Sequence, residues 1–505
     1  AEQNQLGFFS GFATYLIDSN LIKCQEIPYI VVADSRIIPK NGEWCILESG
    51  TLPDLIGASI VSSYTTKYHN FQNAEVVISS STAYTANGNY IVSSDKSINS
   101  KVYFSKIEPN AEGITVAEGY IEEDSNFYLS PQFKYYGDIF VKGNEVGANY
   151  DGQTKIITKC EELAVDWIQF KAMVDTSKII IPLGESFIGK ASGPVIGFDG
   201  SVSFYSSFLA DKIQESDQEF TPSDGFLSYN NQKGLFEIGA KEKLLNNRAK
   251  GNYISFDDEN CSFKSIGEVN ITKGKDQMQV SMIGEMEYNK LNDTALKINT
   301  TMSIQFPFNM MAINQMKTEI AKTQVQELID ITKSNYDLYV TNTTDEKTAK
   351  EFYTNGRIAK FPKEMFSTMT LFDLEFYWDE ANQAFMAKGF ANIATLGTHQ
   401  MFRRCKIYVK IEKRKSGDRI GIMIEYKPQG FYYFSYKNGE LTTYSTDKAY
   451  NDIIENTPAK DTEVKGSKGQ EDFYYGLSSK SKPLIFLSYF EEAEGFDDDD
   501  DEDED

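Results

Sequence analysis

The feature that most constrains this chain is a succession of short apolar runs, each closed by turn residues, through its first 306 residues. Pro28 to Ala33 is an apolar run ended by Asp34-Ser35, and Trp44 to Leu47 follows the turn Lys40-Asn41-Gly42. Tyr84 to Val92 places Asn87-Gly88 between two strand-like pieces, and Asn-Gly tolerates positive φ at both central positions, so a tight hairpin is expected there. Ala117–Ile121, Phe127–Leu129, Tyr135–Val141 and Lys155–Thr158 continue the pattern at short intervals. Regular strands separated by turn signals predict stacked hairpins or jelly-roll-like sheets. With 30 Tyr, 34 Phe and many β-branched residues, composition favours strands as well.

The pattern changes at residues 309–331. Ile313, Met316, Ile320, Ala321, Leu328 and Ile331 recur at helical spacing with charged residues between them. Thr344-Asp345 supplies a cap for a second helix, which runs to Tyr353 and ends at Asn355-Gly356. Strand signals then resume. Cys405–Glu412 and Arg419–Tyr426 alternate apolar and polar residues, which predicts one buried and one wet face. Phe431–Tyr436, Lys437-Asn438-Gly439 and Leu441–Tyr444 form a further hairpin, and Asp447–Ile454 is a short closing helix. Residues 457–482 are rich in Lys, Gly, Ser, Glu and Asp and read as a linker. Leu484-Ile485-Phe486-Leu487 is one last apolar strand.

The expected fold is therefore mainly β: an elongated hairpin stack or jelly-roll-like sheets, a short helical pair and a compact C-terminal β-domain. The expected segments are a hairpin stack at 1–175, a second β-region at 176–306, a helical segment at 307–362, a C-terminal β-domain at 363–458, and a linker, last strand and acidic tail at 459–505. Faint repetition accompanies the strands. Ala86-Asn-Gly-Asn-Tyr90-Ile91 recurs as Ala249-Lys-Gly-Asn-Tyr253-Ile254, and Tyr150-Asp151-Gly152 is echoed by Phe198-Asp199-Gly200.

The formal net charge is −24, unevenly placed. Twelve of the 74 acids lie in the last fifteen residues, Glu491 to Asp505, which contain no base; the other 490 residues carry −12. Nine like charges in a row, Asp497–Asp505, repel one another and bury nothing. They read as an attractor of divalent cations, a docking segment for a basic partner, or a solubilising terminus. An acidic chain without a basic stripe argues against nucleic-acid binding. No apolar stretch approaches a bilayer span, so no transmembrane helix is expected. The first residues, Ala1-Glu-Gln-Asn-Gln, carry no initiator Met and no leader pattern, while residues 7–32 already resemble mid-domain strands, so a longer N-terminal part is expected.

Candidate chemistry is sparse. Gly184-Glu-Ser-Phe-Ile-Gly189-Lys190-Ala191 nearly fits a phosphate-binding loop, but Ala191 stands where Mg²⁺ needs a hydroxyl, and Ser192-Gly193-Pro194 prevents the helix. It is read as a surface loop. His69 and His399 are the two histidines. His399 lies near Cys405 in sequence, the one Cys–His pairing to consider, and both histidines are read as turn or surface residues. Asp257-Asp258-Glu259 lacks the spacing and glycine of a calcium loop and reads as a solvated turn. Tyr432-Tyr433, Tyr474-Tyr475 and Trp378 are candidates for glycan stacking or, more ordinarily, strand packing. The cysteines, Cys24, Cys45, Cys160, Cys261 and Cys405, include no CxxC; buried thiols are expected, with Cys24–Cys45 the disulfide to consider. No catalytic, cofactor-binding or metal-binding residue is assigned.

Two stretches carry a resemblance. Phe71–Tyr90, followed by Ala117-Glu118-Gly119-Tyr120, resembles the hairpin units of periplasmic OstA-like lipopolysaccharide-transport domains. Residues 27–306 and Leu374–Ile454, through Ile27-Pro28-Tyr29-Ile30-Val31-Val32-Ala33-Asp34 and Phe431–Gly439, look like the C-terminal part of large uncharacterised cell-envelope proteins of Bacteroidota. Asp293-Thr294-Ala295 is similar to the short O-glycosylation signal of that phylum. The resemblance implies a periplasmic or outer-membrane-associated location and a non-catalytic role as a structural or accessory subunit of an outer-membrane assembly or secretion complex, with protein partners. A lipid- or glycan-binding β-groove is the alternative expectation, and a carbohydrate-active enzyme the second.

Overall fold

The computed structural model describes residues 6–48, 50–95, 98–161, 163, 165–174, 179–184, 187–289, 296–323 and 334–491. The protein is mainly β, with large sheets, one of them a curled half-barrel, and short helices. The helices are α1 (Lys241–Leu245), α2 (Met310–Ala321), α3 (Asn335–Thr343), α4 (Glu346–Asn355), α5 (Lys448–Glu455), α6 (Ala459–Thr462) and α7 (Lys482–Glu491). The chain forms two compact units: residues 1–188 with 225–233, and residues 189–224 with 234–505.

The first unit holds a small antiparallel sheet, Phe12–Leu16, Leu21–Gln25 and Trp44–Ile46 in that order, and a larger eleven-stranded one. The larger sheet is a meander in which sequence neighbours mostly pair, from Ile30–Val32 at one end to Ile168–Val174 at the other. Alternation fixes its faces: Phe133, Tyr135, Ile139 and Val141 are buried while Asp138 and Phe140 between them are exposed. The sheet folds back on itself. The Asp34 carboxylate accepts from Thr115 N at 3.0 Å and from Thr115 Oγ1 at 2.6 Å, and the Tyr84 hydroxyl lies 2.8 Å from Thr115 Oγ1, joining strands that are not neighbours in the sheet. Burial pushes the Tyr84 hydroxyl up to about 12, so it stays a donor.

In the second unit one antiparallel meander runs from Leu235–Gly239 to Glu440–Ser445, and Phe473–Leu477 then adds in parallel beside Glu440–Ser445. Leu296–Gln305 pairs with Met369–Asp379, so the second β-region and the C-terminal β-region of the sequence reading share one sheet. One face buries Met302, Leu371, Ile393, Val409, Ile422 and Phe434. It is closed by Ile313, Met316 and Ile320 of α2, by Tyr450 and Ile454 of α5, and by Phe220 beside the small sheet of Lys190–Asp199, Ser201–Asp211 and Gln218–Glu219. The opposite face is covered twice: Tyr336, Leu338 and Phe352 of α3 and α4 pack on Phe372, Ala394 and Phe402. Phe486 and Phe490 of α7 pack on Met386, Tyr408, Met423 and Tyr433.

The helix signals hold at the start of α2 and at both ends of α4. Asn309 caps α2 through Met311 N, Asp345 caps α4 through Thr348 N, and Gly356 ends α4 in the left-handed region. The expected 309–331 helix stops earlier, at Ala321, with Lys322 as its C-cap; residues 324–331 lie outside the described residues, as do Asp293-Thr294-Ala295 and the tail from 492 on. Several expectations are corrected. Leu484–Leu487 is not a strand but part of α7. Residues 457–482 contain α6 and the paired strand Phe473–Leu477, so this composition does not mark an unstructured linker here. The outer face at Tyr408 and Met423 is dry, because α7 covers it. Asn87-Gly88 is not a turn: it lies inside the strand Ala83–Asp95, at a register shift, and a Cβ on Gly88 would come 3.1 Å from Ala74 Cβ. Asn41-Gly42 does turn the chain, both at positive φ, but Trp44–Ile46 pairs with Leu21–Gln25 and not with Ile30–Val32. The repeat fragments are not equivalent either: Tyr150-Asp151-Gly152 is strand, whereas Phe198-Asp199-Gly200 ends in a positive-φ turn.

Candidate functional site

His69 is not the turn or surface residue expected but is buried in the strand His69–Ser80, with Nδ1 3.0 Å from the Tyr90 hydroxyl and Nε2 2.7 Å from the Glu145 carbonyl, so both ring nitrogens are spent on the fold. Burial pushes its pKa below the ordinary histidine value. His399 is exposed, as expected, at the start of the strand His399–Glu412. Cys405 faces the apolar core and burial pushes its thiol up to about 12, so at neutral pH it is no thiolate nucleophile. Lys190 begins a strand rather than a helix, so the Gly184–Ala191 segment has no helix N-terminus for phosphate; residues 185–186 lie outside the described ones. Asp257 accepts from Glu259 N and Asn260 N, closing a turn. Tyr432, Tyr433 and Tyr475 are buried, and Trp378 packs against Phe204 and Phe385 at 5.0 and 4.9 Å; Tyr474 is exposed. Among the described residues no group of three His, Cys, Asp or Glu side chains is placed to hold a metal. Cys24, Cys45 and Cys405 are free thiols, so Cys24–Cys45 is not bonded, whereas Cys160 and Cys261 are each in the disulfide-bonded state and not the free thiols expected.

What the structure adds is an apolar strand edge. Among the described residues, Phe12–Leu16 pairs on one side only, with Leu21–Gln25, in the register Ala13↔Cys24, Thr14↔Lys23 and Tyr15↔Ile22. All five of its residues are exposed. Phe9 is 70% accessible, Phe12 62%, Tyr15 57% and Ile17 82%. Natural edge strands are normally blunted by charge, proline or bulges, because their open backbone groups template pairing with another chain. This one is not: Leu6 to Ile17 contains no charged residue and no proline.

Beside the edge lies a hollow of about 440 Å³ lined by Leu16, Leu21, Trp44, Pro53 and Ile56. Trp44 is held by its indole N–H, which donates to the Pro53 carbonyl at 2.9 Å, and by Phe8 at 5.4 Å between ring centroids. Four charged residues also line it: Lys23 and Glu43, 3.1 Å apart, and Lys40 and Asp54. An edge that offers main-chain hydrogen bonds, next to a hollow with an apolar floor and a charged rim that takes a side chain, is the geometry of strand addition. The sequence signal was present in the charge-free run of Leu6–Ile17; what it did not reveal was that nothing described covers that run. Comparison with protein-family models, with curated proteins and with solved structures found no match.

Proposed function

We propose that this is a non-catalytic cell-envelope protein, a structural or accessory subunit of an outer-membrane assembly or secretion complex, and that it engages a protein partner by strand addition at Phe12–Leu16. The observation that carries the reading is the uncharged, fully exposed edge beside the Trp44 hollow. Burying each of its exposed large side chains contributes roughly 1.5–3 kcal/mol. The bonded state of Cys160 and Cys261 supports an oxidising, extracytoplasmic compartment. The resemblance carried by residues 27–306 supports the envelope. Among the described residues, the apolar face of the long sheet in the second unit is filled by side chains from α2 and α5, which speaks against the alternative of a lipid-binding groove there.

The test is native purification of the chain and of Ala13→Lys/Tyr15→Lys, with identification of co-purifying proteins. Two lysines on the edge block pairing without touching a buried side chain. A partner retained by the parent and lost from the variant, at unchanged circular dichroism, is the expected result. An identical set of partners, or a clean monomer in both, refutes the proposal.

A further inference from the structure

At one rim of the long sheet in the second unit, α2 from one face and the segment after α4 from the other reach the start of the strand His399–Glu412. A hollow of about 500 Å³ opens there, lined by Lys317 and Lys322 of the α2 end, by Arg357, and by His399, Met401 and Arg403. Among the described residues no Asp or Glu lines it. Lys322 is matched, because it pairs with Glu319. The side chains of Lys317, Arg357 and Arg403 form no ion pair among the described residues. Arg403 Nε is also buried without a hydrogen-bond partner among them. Buried donors are nearly always satisfied, and a cationic one gains most from an anion.

Local structure explains how these cations meet. Gly356 ends α4 in the left-handed region, and Arg357 follows it directly. The next residue is clamped to the strand: Ile358 N donates to Gln400 Oε1 at 3.1 Å, and Gln400 Nε2 donates to the Ile358 carbonyl at 2.8 Å. Arg357 is thereby tied to the strand that carries Arg403. On that strand the pairing with Ala384–Leu396 shifts between Thr395↔Gln400 and Ile393↔Arg403, and Phe402 has positive φ. The shift inserts one extra residue, a bulge, and bulges re-aim the side chains beside them. Beyond it, Arg403 shares a face with Cys405, whose side chain lies in the core that α2 closes. Lys317 approaches the same hollow from α2.

We propose that this hollow binds a diphosphate group, held by Lys317, Arg357 and Arg403, with the exposed His399 beside them. Three cations around one hollow suit a compact polyanion better than an extended chain. A guanidinium matches phosphate oxygens two at a time, and a lysine adds a point charge. Two phosphate groups carry roughly −1.5 to −2 each near neutral pH, which three cations balance closely. The volume falls within the range of about 300–1,000 Å³ usual for small-molecule sites. A soluble diphosphate and a phosphorylated lipid headgroup present the same chemistry. The inference is independent of strand addition at Phe12–Leu16, which lies in the other unit.

The experiment is calorimetric titration of inorganic pyrophosphate into the full chain at about 0.15 M salt, where attraction to scattered surface charges is screened. One site is expected, which orthophosphate fills more weakly. Arg357→Gln removes an exposed side chain, so the fold should stand, and is expected to weaken binding about tenfold, as is Lys317→Gln. Lys437→Gln, an exposed cation elsewhere in the same unit, is expected to leave binding unchanged. Flotation with phosphatidylcholine vesicles carrying phosphatidic acid separates the two sources. A lipid headgroup is the ligand if the chain floats and pyrophosphate releases it; a soluble diphosphate is the ligand if pyrophosphate binds and the vesicles do not. No heat up to about 1 mM pyrophosphate, affinity unchanged in both site variants, or equal weakening by Lys437→Gln and Arg357→Gln overturns the proposal.

Discussion

The seat of α7 can be tested through Gly421. A Cβ built on Gly421 meets Phe486 Cε2 at 2.4 Å and Cδ2 at 3.0 Å, with no other atom as close. Gly421 lies in the strand Arg419–Lys427, directly beneath a helix whose sequence, Leu484-Ile485-Phe486-Leu487, reads as a strand. Gly421→Ala therefore overpacks one specific contact and is expected to cost about 1–3 kcal/mol. Phe486→Ala removes a side chain that is 5% accessible and packed 5.3 Å from Tyr433. It is expected to cost about 3–5 kcal/mol. In the double variant the added methyl group has nothing to strike and partly fills the vacated space. The double variant should then be no less stable than Phe486→Ala alone, which makes the coupling energy about 1–3 kcal/mol. Urea unfolding of the three variants and the parent, followed by near-ultraviolet circular dichroism, measures each term. Additivity within about 0.5 kcal/mol would refute the reasoning, because it would mean that Phe486 does not lie over Gly421.

Three further outcomes follow from groups already described. Asp373 accepts from Asn335 N and Asn392 Nδ2, yet burial holds its pKa above the ordinary carboxylate value. A raised folded pKa means that stability is lost as pH rises from the unfolded value through the folded one. Asp373→Asn should flatten that decline in melting temperature above about pH 4, and an unchanged pH profile would refute the assignment. Arg248→Met should destabilise strongly, by about 3–5 kcal/mol, since it leaves the Asp337 carboxylate buried without its cation; the two are 2.6 Å apart and the Asp337 side chain is 5% accessible. An unfolding free energy within 1 kcal/mol of the parent's would contradict that pairing. Alkylation of the folded protein at pH 8 should label Cys45 first, since Cys24 is buried with its thiol pushed up and Cys405 sits in the core; equal rates at all three would refute both burials.

Local chemistry made part of the fold legible. Lys437-Asn438-Gly439 reads as a tight turn and is one, with Asn438 and Gly439 both at positive φ. Asp447 and Asp345 announce the helices they cap. Non-local packing hid the rest. In α3, the six residues Asn335–Val340 are buried in succession, so no helical periodicity shows through. An apolar tetrapeptide such as Leu484–Leu487 suits a buried strand and a buried helix alike; what decides is the layer of Met386, Tyr408, Met423 and Tyr433 waiting beneath it. Asn87-Gly88 has the composition of a turn, but Ala74 on the adjacent strand needs the space a side chain would take. The apolar edge at Phe12–Leu16 was visible as a run of residues and invisible as a surface, because sequence does not report which runs end up uncovered.

The order of strands in the second unit also bears on how the chain is made. From Leu235 to Ser445, each new strand of the long meander lays itself on the one just completed, so the sheet grows in step with the chain as it emerges from a ribosome or a translocation pore. Only short loops close at most of these steps, which keeps the entropic cost of each low. Phe473–Leu477 breaks the rule: pairing in parallel with Glu440–Ser445, it joins only after the chain has travelled back through α5 and α6. Until it does, Glu440–Ser445 is an open edge on a nearly finished sheet. The interval between its synthesis and the arrival of Phe473 is the period when a chaperone has most to protect.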